Sequence, residues 1–200
     1  MSVAAVILAA GASRRMGWPK ALVEFEGQTF LDRMIAAVNE VCEPIIVVLG
    51  YAAEQVRRGT RLAHRVRFVV NPHPELGQLS SLQCGLRALP AVFEGVLFTP
   101  VDFPCVQPAT VRQLVEAFRS RSSGIAVVVP SWRGQRGHPV CVDPGVVREL
   151  LQLPLQGQAR DVIRRYREQT LVVDTNDRGV IYDVDDPLSL EQARSWSAEG

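Results

Sequence analysis

The chain lacks the features that mark several protein classes. Its 22 lysines and arginines are offset by 21 aspartates and glutamates, which leaves a formal net charge of +1. A nucleic-acid binder normally carries a clear basic excess, so nucleic acid is not an expected partner. Cys42, Cys84, Cys105 and Cys141 lie far apart, with no CxxC pair and no histidine at zinc-finger spacing. They read as free thiols, not as a metal or disulfide framework. No long hydrophobic run is present either. The first one, Val3 to Ala10, has no basic residue before it and is broken by Gly11. That is too short for a bilayer and lacks the layout of a signal peptide, so a cytoplasmic protein without membrane contact is expected. Linker-like, low-complexity and repeated stretches are missing as well. A chain of 200 residues can bury about 70% of its unfolded surface, so one domain over 1–200 is the default.

What is present is regular punctuation. Short β-branched runs occur at Val3–Leu8, Ile45–Leu49, Val66–Val70, Val96–Thr99 and Ile125–Val129. Each is apolar nearly throughout, as strands covered on both faces of a largely parallel sheet must be. Helical stripes fill the gaps: Phe30, Leu31, Met34, Ile35, Val38 and Val41, then Leu79, Leu82, Leu86 and Leu89 before Pro90. A third stripe runs through Val111, Leu114, Val115 and Phe118, after Pro108 in a first-turn position. Strand alternating with helix gives an α/β fold, a Rossmann-like three-layer sandwich with a mostly parallel sheet. After Pro130 the pattern loosens, and Leu171–Asp174 and Val180–Tyr182 read as short final strands on the same sheet. In such sheets ligands bind beyond the carboxyl ends of the strands, so the residues just after each strand matter most.

The first strand runs into Leu8-Ala9-Ala10-Gly11-Ala12-Ser13-Arg14-Arg15-Met16-Gly17-Trp18-Pro19-Lys20. No GxGxxG is present, and Gly11 and Gly17 are spaced wrongly for GxxxxGK[ST], so dinucleotide and P-loop readings both fail. Small residues that let backbone N–H groups approach, followed by three cations, make a suitable cradle for a polyphosphate. Asp102, two residues past an apolar strand between Pro100 and Pro104, fits either an Asx-turn or a Mg²⁺ ligand. Because Mg²⁺ takes one or two carboxylates, a second one is expected at the same edge, and Asp183, Asp185 and Asp186 supply candidates. Asp186 before Pro187 reads as the N-cap of a terminal helix. Ser80 and Gln83 fit a capping box.

LAAGxxxRMG…PK resembles the signature of nucleotidyltransferases with the nucleotide-diphospho-sugar transferase fold. The whole chain is similar to the molybdenum cofactor cytidylyl- and guanylyltransferases. The likeness continues in order through Gly77-Gln78-Leu79-Ser80-Ser81-Leu82, Pro100-Val101-Asp102-Phe103-Pro104 and Arg136-Gly137-His138-Pro139-Val140. It ends with Ala159-Arg160 and Asp183-Val184-Asp185-Asp186-Pro187. The resemblance implies that Leu8, Ala10 and Gly11 hold the nucleotide with its phosphates, and that Arg15 and Lys20 are the cationic catalytic pair. It also implies that Asp102 and Asp185 bind Mg²⁺, with Asp183 as the alternative to Asp185. Gly77 and Ser81 are candidates for the base, since a glycine lets backbone groups read its edge. His138, in a polar loop off any apolar stripe, and Arg160 are candidates for the acceptor, although Arg160 equally fits a helix-surface cation.

The implied reaction moves CMP from CTP to a molybdopterin-type acceptor, with contact to the molybdoenzyme that receives the product. Ala10 matches the cytidylyl pattern, whereas Thr99-Pro100 matches the guanylyl one, so both bases stay open. Gln156-Gly157-Gln158 stands where an acidic GD usually precedes GAR. Transfer to a sugar or polyol phosphate, and a non-catalytic nucleotide-binding module, are the competing readings.

Overall fold

The computed structural model describes residues 2–197. Ten strands are distributed over a main sheet and one hairpin. They are β1 (Val3–Ala9), β2 (Glu24–Phe25), β3 (Gln28–Thr29), β4 (Ile45–Leu49), β5 (Arg67–Val70), β6 (Gly95–Pro100), β7 (Val127–Trp132), β8 (Gln135–Arg136), β9 (Val140–Val142) and β10 (Thr170–Asp174). The helices are α1 (Phe30–Asn39), α2 (Ala53–Gly59), α3 (Gln78–Arg87), α4 (Pro108–Ser120), α5 (Pro144–Gln152), α6 (Ala159–Arg165) and α7 (Pro187–Ser197). The main sheet has the order β10-β7-β9-β6-β1-β4-β5, with β8 paired to β7. All neighbours on the path are parallel except β9, which runs against both β6 and β7.

Why the strands are apolar on both faces is visible in β1. Val3, Ala5 and Ile7 face the layer formed by α1 and α4, while Val6, Leu8 and Ala10 face the layer of α3, α5 and α6. Phe30, Leu31, Met34 and Ile35 of α1 and Val111, Leu114, Val115 and Phe118 of α4 fill the first core. Leu82, Leu86, Val146, Leu150 and Val162 fill the second. The domain is thus a three-layer α/β sandwich. No helix among the described residues is long and apolar enough to cross a membrane.

Register puts one edge in line. Leu8 pairs with Pro100, Ala9 with Leu49, and Leu49 with Val70, so β1, β4, β5 and β6 end at nearly the same level.

Two sequence expectations change, and one strand is added. Val180–Tyr182 is not a strand: Arg178–Ile181 forms a short 3-10 turn, capped by the Asp177 side chain accepting from Gly179 N–H at 2.9 Å. Its Val180 carbonyl is taken by the N–H of His138 at 2.7 Å and is not available for a ladder. Strand β9, too short to announce itself, enters between β6 and β7. Ser80 is not a cap either, because α3 begins two residues earlier with Gly77 at the N-cap. Its hydroxyl instead donates toward the Gly77 carbonyl, at 2.8 Å, and accepts from Asn71 at 2.9 Å. Gln83, the other half of the expected box, donates to the carbonyls of Leu150 and Leu153 at 2.9 Å each. It satisfies the end of α5 and not the start of α3.

Gly137 is held where no side chain fits. A Cβ there would stand 1.9 Å from the Val180 carbonyl oxygen, a backbone atom fixed by the 178–181 turn. Gly137→Ala should therefore cost about 2–3 kcal/mol, the scale of overpacking a rigid contact. A lower denaturant midpoint with an unchanged slope checks this.

Candidate active site

The loop after β1 is built to present Lys20. Ser13 adopts a left-handed backbone (φ +50°), and its carbonyl accepts from the N–H groups of Met16 and Gly17 at 3.1 and 3.2 Å. Its hydroxyl accepts from Lys20 N–H at 2.9 Å. Pro19 then leads into a 3-10 turn, Lys20–Leu22, whose Ala21 is buried. Gly11 lies on the open side of this loop, where an added Cβ would meet nothing within 4 Å. Protein packing does not require a glycine there, and the space it leaves belongs to the cavity.

Two carboxylates converge on Lys20. Asp102 follows β6, and its carbonyl accepts from Val184 N–H at 2.7 Å, which stitches the β6 turn to the segment carrying Asp185. On that segment Asp186 caps α7 as the sequence suggests, its carboxylate accepting from Ser189 N–H at 2.8 Å. The Ser189 hydroxyl accepts in turn from Asp185 N–H at 3.0 Å, which fixes the Asp185 backbone and leaves its carboxylate to the two cations. Lys20 Nζ lies 3.1 Å from Asp102 Oδ2 and also pairs with Asp185 Oδ1, and Arg15 pairs with Asp185 Oδ2. The result is a continuous chain, Arg15–Asp185–Lys20–Asp102. Asp183 is exposed and stands outside it.

The electrostatics follow from burial against pairing. Burial pushes the Asp102 carboxyl above its ordinary range, more than Lys20 pulls it down. For Asp185 burial acts the same way, but Lys20 and Arg15 outweigh it and hold the carboxyl low. Burial lowers Lys20, yet its bond to Asp185 and the charge of Asp102 raise it on balance. Asp102 Oδ1 is buried with no hydrogen-bond partner. A polar atom left orphaned beside a second carboxylate, with a cation already between them, fits a divalent metal that takes one or two carboxylates. No cluster of three or more His, Cys, Asp or Glu suited to a metal occurs among the described residues.

Two adjoining cavities open at this edge. The first, about 400 Å³, is lined by Leu8, Ala10, Gly11, Arg15, Lys20, Gly77, Ser81, Asp102 and Asp185 among others. All the expected nucleotide, catalytic and metal positions thus meet in one space. The second, about 780 Å³, is lined by His138 and Arg160, together with Arg136, Arg164, Leu82, Phe98 and Ile163. Leu8, Gly77, Gln78 and Pro100 form a wall common to both.

His138, expected in a polar loop as an acceptor contact, lines the second cavity but is more enclosed than a loop residue. Its ring packs on Phe103 with centroids 4.7 Å apart, and its Nδ1 is buried without a partner. Burial brings its pKa down to about 4, so the imidazole is neutral at neutral pH. Gly137 N–H to Pro130 O, at 3.0 Å, and His138 N–H to Val180 O draw that loop inward. Arg14, to which the family resemblance assigns no role, lines the first cavity, as do Tyr51, Glu75 and Gln78. Their position after β1, β4 and β5 was the signal that marked them.

Comparison with known proteins agrees with this geometry. A family model for the MobA-like NTP transferase domain matches residues 5–170. A probable molybdenum cofactor guanylyltransferase from Rhodopirellula baltica is 33% identical over 165 residues, covering 81% of this chain and 77% of that protein. The molybdenum cofactor cytidylyltransferase of Escherichia coli is 26% identical over 195 residues, covering 97% of this chain and 96% of its own. The bifunctional protein GlmU of Rhodococcus opacus is 30% identical over 189 residues, which is 88% of this chain but only 36% of GlmU. Among solved structures, Rv0371c from Mycobacterium tuberculosis superposes with a TM-score of 0.82 at 25% identity, over 98% of each chain. The order of motifs, the sheet that gathers them and the family match over most of the length place this chain in the MobA-like NTP transferase family, as a nucleotidyltransferase.

Proposed function

We propose that the enzyme transfers CMP from CTP to a terminal phosphate of a molybdopterin-type acceptor and releases pyrophosphate. The observation that carries this reading is the Arg15–Asp185–Lys20–Asp102 chain in the first of two cavities that share one wall. A pure binding module has no use for two carboxylates held under one lysine. The second cavity suits the acceptor: Leu79, Leu82, Phe98, Val140, Leu155 and Ile163 offer an apolar wall, beside Arg136, Arg160 and Arg164. No carboxylate stands in that lining among the described residues. A bulky ring system ending in phosphate fits such a space better than a small sugar phosphate does. Neutral His138 contributes a polar contact there, not a charge.

In this mechanism an acceptor phosphate oxygen attacks the α-phosphorus of the nucleotide, and the bond to the β-phosphate breaks. The attacking oxygen is already ionised, so no strong general base is required. The protein's share is in-line positioning and neutralisation of developing charge. Loop N–H groups around Gly11 cradle the phosphates, while Lys20 and Arg15 exchange carboxylate partners for phosphate oxygens. Asp102 and Asp185 would hold Mg²⁺, which supplies further charge neutralisation at the triphosphate.

A second reading, guanylyl transfer, is favoured by Thr99-Pro100 and by the 33% identical guanylyltransferase relative. Ala10 and the Arg136–Val140 stretch favour cytidylyl transfer.

Lys20→Ala and Arg15→Ala should each lower turnover by ~10²–10³, the scale for losing one preorganised charge stabiliser. Folded variants that release pyrophosphate like the wild type would remove the loop from catalysis. Pyrophosphate release with CTP should exceed that with GTP by at least ~10-fold, about 1.4 kcal/mol of differential transition-state binding. A GTP preference would replace the cytidylyl assignment with the guanylyl one. Asp102→Asn should abolish Mg²⁺-dependent turnover with the fold intact, because Asn can form the same turn but not carry a metal ligand's charge. An active Asp102→Asn enzyme would reduce Asp102 to a turn former.

A further inference from the structure

A cavity that takes a triphosphate at one end must hold the rest of the nucleotide at the other. Along the sheet order β6-β1-β4-β5, Asp102 follows β6 and the cationic loop follows β1. Tyr51 and Ala52 follow β4, and Pro74 to Gly77 follow β5. With neighbouring strands about 4.8 Å apart, these linings are spread over roughly 14 Å of sheet edge. Charge gives the cavity a direction. Arg14, Arg15 and Lys20 stand at the β1 end, whereas the β4–β5 end carries Glu75 and no cation in its lining. Three cations against the carboxylates of Asp102 and Asp185 leave the first end net positive and Glu75 leaves the second net negative, so phosphates favour the first end and the second is left for the base.

Tyr51 is the one aromatic side chain lining this cavity among the described residues. It is 53% exposed and belongs to neither hydrophobic cluster, although its neighbours Ala52 and Ala53 pack on one of them. The core does not account for this ring. We infer that Tyr51 is the stacking platform for the nucleotide base. The inference rests on the nucleotide reading above and deepens it, by naming the side chain that holds the base. Every base has a π-face, so stacking supplies affinity without choosing among bases. Choice falls to the polar groups of Gly77, Gln78 and Ser81, which line the same cavity from the start of α3.

Isothermal titration of wild type, Tyr51→Phe and Tyr51→Ala with CTP, GTP and inorganic tripolyphosphate, all with Mg²⁺, tests this. Tyr51→Ala should bind both nucleotides about 5–100-fold more weakly, the range for one base losing its aromatic partner. Its affinity for tripolyphosphate, which has no base, should be unchanged, and Tyr51→Phe should behave as wild type. A Tyr51→Ala protein that keeps wild-type nucleotide affinity overturns the assignment. Equal loss of nucleotide and tripolyphosphate overturns it too, by showing that Tyr51 shapes the whole cavity. In both cases wild-type nucleotide binding leaves the transferase reading standing. A wild type that binds neither CTP nor GTP ends both ideas.

Discussion

The ammonium group of Lys20 sits between two carboxylates, and the site depends on that placement. Two like charges about 4 Å apart near a protein surface repel by about 4 kcal/mol, so Asp102 and Asp185 need a cation between them to share one edge. Lys20 supplies it at 3.1 Å from Asp102 and in contact with Asp185. The pairing is not chiefly a stability device. Asp185, held low, contributes stability above the ordinary carboxylate range, and that contribution is lost as pH falls through its lower folded pKa. Lys20, raised, contributes below the ordinary lysine pKa and loses it as pH climbs through its higher folded value. Asp102 works the other way: burial favours its neutral form, so keeping it ionised costs stability above its ordinary range. A carboxylate kept at a cost, with one oxygen unpartnered, is what the proposed metal-binding role of Asp102 requires.

The fold turns this electrostatic arrangement into a place. Parallel strands β1, β4, β5 and β6 end level with one another, so loops from distant parts of the chain arrive at one edge. The backbone bond from Val184 N–H to the Asp102 carbonyl then ties the segment before α7 to the loop after β6. Gln83 performs a related task on the opposite face of the sheet, joining α3 to the end of α5 beneath the second cavity. The antiparallel strand β9 and the turn at 178–181 bring His138 inward. These are backbone and amide contacts between segments far apart in the chain.

How much was legible in the sequence differed by element. The strands β1, β4 and β6 and the helices α1, α3 and α4 could be read because their apolar runs are long enough to show a period. The loop Leu8–Lys20 could be read because its residue types are chemically distinctive, and so could Asp102 between its prolines. Ser80 was misread because a Ser with Gln three residues on fits a cap wherever it occurs. Only the path of the backbone shows that α3 starts at Gln78 and that Gln83 faces α5. Val180 was misread as a strand residue because a short apolar triplet fits either a strand or a buried turn.

By itself, the sequence determined the class of fold, the edge at which the candidate site lies and the residue types available there. Those are properties of local pattern: burial on two faces, small residues before cations, and acids after strands. Tertiary structure decided that Asp185, which the resemblance preferred to Asp183, faces Lys20, and that His138 is half-buried and neutral. It alone made Tyr51 an aromatic wall of the first cavity. Each of those outcomes depends on which side of a backbone faces which distant segment. That is fixed by long-range pairing, such as Val184 with Asp102 and His138 with Val180, and no local pattern encodes it.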